Sequence, residues 1–183
     1  MNELSLYILD IVQNSLKADS KNVELIINED NIKDLLEIDV IDDGRGMSEE
    51  ILEKATNPFY TSRTTRKVGL GLPLLKELCE LCEGSLTLES KPTVGTKLKA
   101  TFKLSSVDLP PFGNLIDTFY LIIVNNENVD VVIRYRKNDK EFFFDTKEIK
   151  EVLDGMSIQD PLLVDWIKEY LTNGLNEINN QNI

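Results

Sequence analysis

Histidine is missing altogether from this chain of 183 residues, and that absence removes a good deal of chemistry. Imidazole acid–base catalysis, histidine metal sites and a phosphohistidine on this chain are all excluded. Cysteine is nearly as scarce, with two residues. Cys79 and Cys82 stand in a Cys-Glu-Leu-Cys spacing, but with no third thiol and no imidazole a tetrahedral zinc site lacks its usual ligands within one chain. They share the apolar side of an expected helix with Leu75 and Leu78. Buried structural thiols are therefore the expectation, with redox sensing as the alternative. Long apolar runs are also absent. The longest, Phe119 to Val124, is far too short to cross a bilayer. The first residues, Met1-Asn-Glu-Leu-Ser, place no basic stretch ahead of an apolar one, so no leader is expected and the default compartment is cytoplasmic. Positive charge is the last scarcity. Lys plus Arg number 20 against 32 Asp plus Glu, a net charge of -12; such a surface repels phosphate backbones and argues against general nucleic-acid binding.

What is present is organised around Ile41 to Met47, Ile-Asp-Asp-Gly-Arg-Gly-Met. An apolar run from Leu35 to Ile41 reads as a strand that ends on two carboxylates and two glycines. Gly44 and Gly46 permit positive φ and a close backbone approach to a flat ligand. Asp42, at the mouth of the strand, can accept a hydrogen bond from an exocyclic amine; taken alone, the same residues also make an ordinary turn. Upstream, Leu4 to Ala18 reads as a helix with Leu4, Tyr7, Ile8, Ile11, Val12 and Ser15 in one stripe. Asp10, Asn14 and Lys17 share another face. A carboxylate, an amide oxygen and an ammonium there suit a water, a magnesium ion and phosphates, or merely a solvated surface. Val23 to Asn28 is expected to be a second strand, and Ser48 to cap a short helix from Glu49 to Ala55.

Asn57 to Lys67 differs in kind, with Thr61, Ser62, Thr64 and Thr65 beside Arg63, Arg66 and Lys67 and no acidic residue. A cationic, hydroxyl-rich loop in an acidic protein suits an anionic ligand such as a triphosphate. Gly69-Leu-Gly-Leu72 opens a helix running to Glu83; glycines there let phosphates approach free N–H groups at the helix's positive end. Strands are expected at Ser85 to Ser90 and Thr96 to Leu104. Ser105 to Asn114, with Pro110 and Pro111, reads as a linker, and the tail as three antiparallel strands (Asp117 to Val124, Val129 to Arg136, Glu141 to Asp145) and two helices. The last helix starts at Asp160-Pro161 with Leu163, Ile167, Leu171, Leu175 and Ile178 in one stripe.

The order of an Asn-bearing helix, Asp-x-Gly-x-Gly, Pro-Phe-Tyr-Thr-Ser, Gly-Leu-Gly-Leu and Gly-Thr in a hairpin resembles the GHKL ATPase superfamily, which includes gyrase B, heat-shock chaperone ATPases, MutL-type repair proteins and histidine-kinase catalytic domains. The resemblance covers Leu4 to Leu104 and is strongest to histidine kinases around Phe59 and Gly69. It implies an α+β fold: a two-layer sandwich of the Bergerat type, with a mixed sheet, helices on one face and a small α+β extension. The domain would span 1–104, with a linker at 105–116 and a tail of unknown role at 117–183. ATP and Mg2+ are the implied cofactors. Asn14 would coordinate magnesium and Lys17 approach the phosphates. Asp42 would bind the adenine amino group, directly and through a water shared with Thr96, in a slot shaped by Gly44 and Gly46. Asn57 to Val68, with Phe59, Thr61, Arg63 and Lys67, would form a lid. Gly69, Leu70, Gly71 and Leu72 would present the phosphate-binding helix start. Asp10 would be the catalytic carboxylate, where many members carry a glutamate. It is one methylene shorter, and Lys67 replaces a usual glycine. A complete histidine kinase carries its phosphoaccepting histidine ahead of this domain; here the domain starts at the N-terminus with no histidine. Two functions follow: a stand-alone protein kinase acting in trans on a separate partner, on histidine or, like anti-sigma-factor kinases, on serine; or an ATP-dependent switch with little turnover. The implied partners are ATP and a separate protein or phosphoacceptor, with no membrane, and a homodimer through the C-terminal helix left open.

Overall fold

The computed structural model describes residues 2–57 and 71–179. Six helices and six strands are present among them: α1 (Leu4–Lys17), β1 (Asn22–Asp30), β2 (Leu35–Asp42), α2 (Glu49–Ala55), α3 (Gly71–Leu81), β3 (Leu86–Lys91), β4 (Gly95–Lys103), α4 (Leu115–Val124), β5 (Asp130–Lys137), β6 (Lys140–Asp145), α5 (Thr146–Val152) and α6 (Pro161–Asn179). The strands form one mixed sheet in the order β3-β4-β2-β1-β5-β6. Only the β1–β5 pair is parallel among these; the others are antiparallel. A parallel neighbour requires a crossover, and the segment bearing α4 supplies it.

Strict alternation builds two layers. Leu25, Ile27, Leu36, Ile38, Phe102 and Ile133 point to one face and are buried. Their neighbours Glu37, Asp39, Lys99 and Arg134 point to the other, where Lys99 pairs with Glu37 and Arg134 with Glu141. The helices lie on the apolar face, with α1 against β1 and β2, α3 against β4, and α6 against β5 and β6. The α1 stripe expected from its periodicity is buried in full, Ser15 included. So is the stripe of α6. Cys79 and Cys82 are free and buried in the core. Burial pushes the Cys79 thiol up to about 12, which leaves it protonated and unreactive at neutral pH. No helix among the described residues is long and apolar enough to cross a membrane.

One expected element is wrong in kind. Asp117 to Val124, read as a strand, lies in helix α4. The Asn114 side chain accepts from the Asp117 amide at 3.0 Å, and Asp117 sits in the first turn, a capped start that favours helix. Leu115, Phe119, Ile122 and Ile123 are buried at helical spacing, with α1 on one side and α6 on the other. Packing thus overrides the strand preference of a β-branched, aromatic run. The tail accordingly contributes two strands and three helices, and both strands extend the sheet begun by the N-terminal half.

Candidate functional site

Asp42 ends β2 where the strand meets the glycine loop, and it is 9% exposed. Both of its oxygens are held. The Ser15 hydroxyl of α1 donates to Oδ2 at 2.5 Å, and the Gly44 amide donates to Oδ1 at 2.9 Å. The next residue, Asp43, turns the other way, accepting from the Lys21 and Asn22 amides at 2.7 and 2.9 Å and from Asn22 Nδ2 at 2.7 Å. Burial works to raise its pKa, and the bonds from Asn22 and Lys21 outweigh that, leaving the group below the usual carboxylate range. The two adjacent carboxylates thus have separate duties. Asp43 staples the loop to the start of β1, and Asp42 faces inward with unused lone pairs.

The loop's shape depends on two tight backbone approaches. Gly46 has φ 64, and a Cβ there would sit 1.9 Å from the Lys91 carbonyl oxygen; Gly95 has φ 124, and a Cβ would sit 1.9 Å from the Asp42 carbonyl oxygen. Only glycine meets both demands. Around them, the Met47 amide donates to Ser90 Oγ at 2.9 Å, and Ser90 Oγ lies 2.9 Å from Thr96 Oγ1. Thr96 is the cross-strand partner of Asp42 in the β2–β4 register, so the structure brings these two expected residues side by side. Arg45 ties the loop back to α1: its amide donates to Ala18 O at 2.8 Å, and its guanidinium donates to Lys17 O.

Asp10 and Asn14 lie one turn apart on α1, both partly exposed, and Lys17 ends the helix exposed. Asp10 Oδ2 is closed off from solvent and has no hydrogen-bond partner among the described residues. A Cβ on Gly71, the first residue of α3, would sit 1.7 Å from that oxygen. Gly71 therefore admits the Asp10 carboxylate to the start of α3, while Leu72 is buried beside it. Phe59, Thr61, Arg63, Lys67, Gly69 and Leu70, and the lid expected at Asn57 to Val68 beyond its first residue, lie outside the described residues. Ser15, Ser20 and Ser90 were not singled out by sequence reasoning as site residues. The signal for Ser15 was a serine in a stripe otherwise made of Leu, Tyr, Ile and Val.

These groups fit a magnesium nucleotide. Asp42 is an inward-facing group that only accepts, suited to an exocyclic amine. Asp10 and Asn14 offer hard oxygen donors. Among the described residues no group of three or more His, Cys, Asp or Glu could hold a metal, and magnesium is usually held by one or two protein oxygens plus substrate phosphates. A cleft of about 490 Å³ between β6 and α6 is lined by Glu141, Phe142, Tyr170, Asn173 and Glu177 among others, and the Glu141 carboxylate there is paired with Arg134 and Arg136.

The profile of one family, described as histidine kinase-, DNA gyrase B-, and HSP90-like ATPase, matches residues 2–106. The chain belongs to that family. Within this ATPase family it is similar to histidine kinases. The sensor histidine kinase YvrG of Bacillus subtilis (strain 168) is 31% identical over 98 residues, covering 51% of this chain and 17% of the relative. A probable C4-dicarboxylate sensor kinase of Halalkalibacterium halodurans is 34% identical over 101 residues, covering 52% and 19%. The chain thus matches under a fifth of the length of these curated relatives. Among solved structures, the N-terminal domain of a DNA repair protein aligns with a TM-score of 0.54 at 16% identity, over 78% of this chain and 52% of the other; at that identity it shows the shared fold alone.

Proposed function

We propose that this chain binds Mg-ATP, with adenine on Asp42, and acts as a histidine-kinase-like module that transfers phosphate to a separate protein in the cytoplasm. The observation that supports transfer is the orphaned Asp10 oxygen. A carboxylate oxygen shut off from water, without a partner among the described residues, and admitted to a helix start only because residue 71 is glycine is a poor structural element. It is a good acceptor for the proton of an attacking hydroxyl, water or imidazole. ATP, when bound, supplies the phosphoryl group, and catalysis of its transfer is mostly positioning and charge stabilisation. The chain's own residues do the positioning. Asn14 would hold the magnesium, and Lys17 and the lid residues Thr61, Arg63 and Lys67 would meet the phosphates. Phe59, Gly69, Leu70, Gly71 and Leu72 would frame the nucleotide, while Gly44, Gly46 and Thr96 shape the base slot. With no histidine among its 183 residues, a histidine acceptor lies outside them.

A second reading, an ATP-dependent binding switch with little turnover, is favoured by one residue: Asp10 is a methylene shorter than the glutamate that the family resemblance leads one to expect. Incubation with γ-labelled ATP, magnesium and cell extract separates the two. Transfer predicts labelled protein that disappears with Asp10→Ala while nucleotide affinity persists; nucleotide-dependent capture without label favours the switch. Asp42→Asn turns an acceptor into a donor facing the amine, a mismatch of about 1–3 kcal/mol. Unchanged ATP affinity in that variant, by calorimetry, would remove both readings.

A further inference from the structure

Ser15 is 5% exposed and stands on the buried stripe of α1 with Leu4, Tyr7, Ile8, Ile11 and Val12. Its hydroxyl proton is committed to Asp42 Oδ2 at 2.5 Å, a length typical of a charge-assisted O–H···O⁻ bond. Its own carbonyl accepts the Ser20 hydroxyl at 2.5 Å, and Ser20 is 3% exposed. Ser20 Oγ in turn would lie 2.7 Å from a Cβ on Gly44, the residue whose amide holds Asp42 Oδ1. The carboxylate is thus gripped at one oxygen by α1 and at the other by the glycine loop. One grip would leave its plane free to turn; two grips from different elements fix it.

We propose that Ser15 is the positioning residue for base specificity, holding Asp42 so that it accepts from an exocyclic amine and rejects a carbonyl at the same place on the ring. This rests on the nucleotide-binding reading above. Each carboxylate oxygen has two in-plane acceptor sites, and the Ser15 and Gly44 bonds occupy one on each. What remains is acceptor only and held in a set direction. An adenine amine matches it, whereas a hypoxanthine carbonyl would set acceptor against acceptor. A site built to bond an N–H rejects an analogue that lacks it, provided that the site cannot reorganise. Without the Ser15 hydroxyl, Asp42 keeps only the Gly44 amide and can swing to let a water sit between it and the base. Ser15 also follows Asn14 directly on α1, so the base-reading and metal-holding ends of the site share one helix.

The test is calorimetric binding of Mg-ATP and Mg-ITP, inosine triphosphate presenting a carbonyl where ATP has the amine. Wild type is expected to favour ATP. Ser15→Ala should shrink the ATP-to-ITP affinity ratio about tenfold, equal to about 1.4 kcal/mol, with ATP losing most and ITP nearly unchanged. Ser15→Thr, which keeps the hydroxyl, should keep the ratio. Should the alanine variant fail to fold by circular dichroism, Ser15→Cys, near in size and a weak donor, is expected to show the same reduction. An unchanged ratio without the hydroxyl, or equal losses for both nucleotides, would overturn the proposal. Wild type binding ATP and ITP equally would overturn it while leaving a triphosphate site in place. Wild type binding neither would remove the nucleotide reading itself.

Discussion

Asp10→Ala should stabilise the fold while removing function. Among the described residues the Asp10 Oδ2 atom has no hydrogen-bond partner, and it is closed off from solvent. A buried acceptor left unpaired costs about 1–3 kcal/mol, and alanine gains up to about 0.7 kcal/mol over aspartate in a helix. Against these stands the small void left by the carboxylate, of order 1 kcal/mol at a site that can partly collapse. The balance is a gain of up to about 2.7 kcal/mol, or up to roughly 11 °C in Tm at 2–4 °C per kcal/mol for a domain of this size. Urea denaturation followed by fluorescence is the assay, with the gain read as a higher midpoint at constant m. Gly71→Ala supplies the control. In wild type the new methyl would meet Asp10 Oδ2 at 1.7 Å and force the side chain out of its place; in the Asp10→Ala background that contact is gone. The two changes should therefore couple by more than about 0.5 kcal/mol. A lower midpoint for Asp10→Ala, or the same cost for Gly71→Ala in both backgrounds, would refute the reasoning, because the carboxylate would then be a satisfied structural group.

Two further outcomes follow from other parts of the structure. Gly46→Ala should cost at least about 2 kcal/mol in urea denaturation, since it combines positive φ with a backbone clash at Lys91; a loss under 0.5 kcal/mol would show that the loop can re-form. The Tyr135 phenol, which donates to the buried Glu29 carboxylate, is pushed above its ordinary value of 10.0 by burial first and by Glu29 second. Above pH 10 the unfolded chain releases this proton and the folded chain keeps it, so stability present in full below pH 10 should fall as pH rises further. Tyr135→Phe should flatten that fall in denaturation midpoints taken from pH 9 to 11.5, and an unaltered slope would exclude Tyr135 as its source.

Much of this was legible because it is local or periodic. The expected strands overlap all six that form among the described residues. Every residue of the expected α1 and α6 stripes is buried, with Ser5 the one buried α1 residue outside them, since burial of one face is what those patterns encode. The Asp42 turn could be read because glycines at such spacing imply close backbone approach. Three things were not legible, each for a physical reason. Residues 117–124 have strand-like composition, and only the Asn114 cap and the neighbours α1 and α6 make them helical. Ser15 was counted with the apolar stripe because its partner, Asp42, is 27 positions away, and no local pattern announces a long-range hydrogen bond. The parallel pairing of β5 on β1 joins segments more than a hundred residues apart, so the tail looked like an appendage.

That pairing changes how the site is held together. The first amides of α1 have no partners within the helix, and the linker supplies two of them: Leu4 N donates to Pro111 O and Ser5 N to Phe112 O, both at 2.9 Å. Phe112 packs on Tyr135 with ring centroids 6.0 Å apart, Tyr135 bonds Glu29 of β1, and Lys137 pairs with the same carboxylate at 3.5 Å. At the other end of α1, Arg45 of the glycine loop closes on the Lys17 and Ala18 carbonyls. The helix that carries Asp10, Asn14 and Ser15 is therefore fastened at its N-terminus by the segment leading into the tail and at its C-terminus by the Asp42 loop. The tail thus connects to α1 through the Phe112–Tyr135 contact, and the chain beyond residue 104 packs into the same frame as the helix that carries Asp10, Asn14 and Ser15.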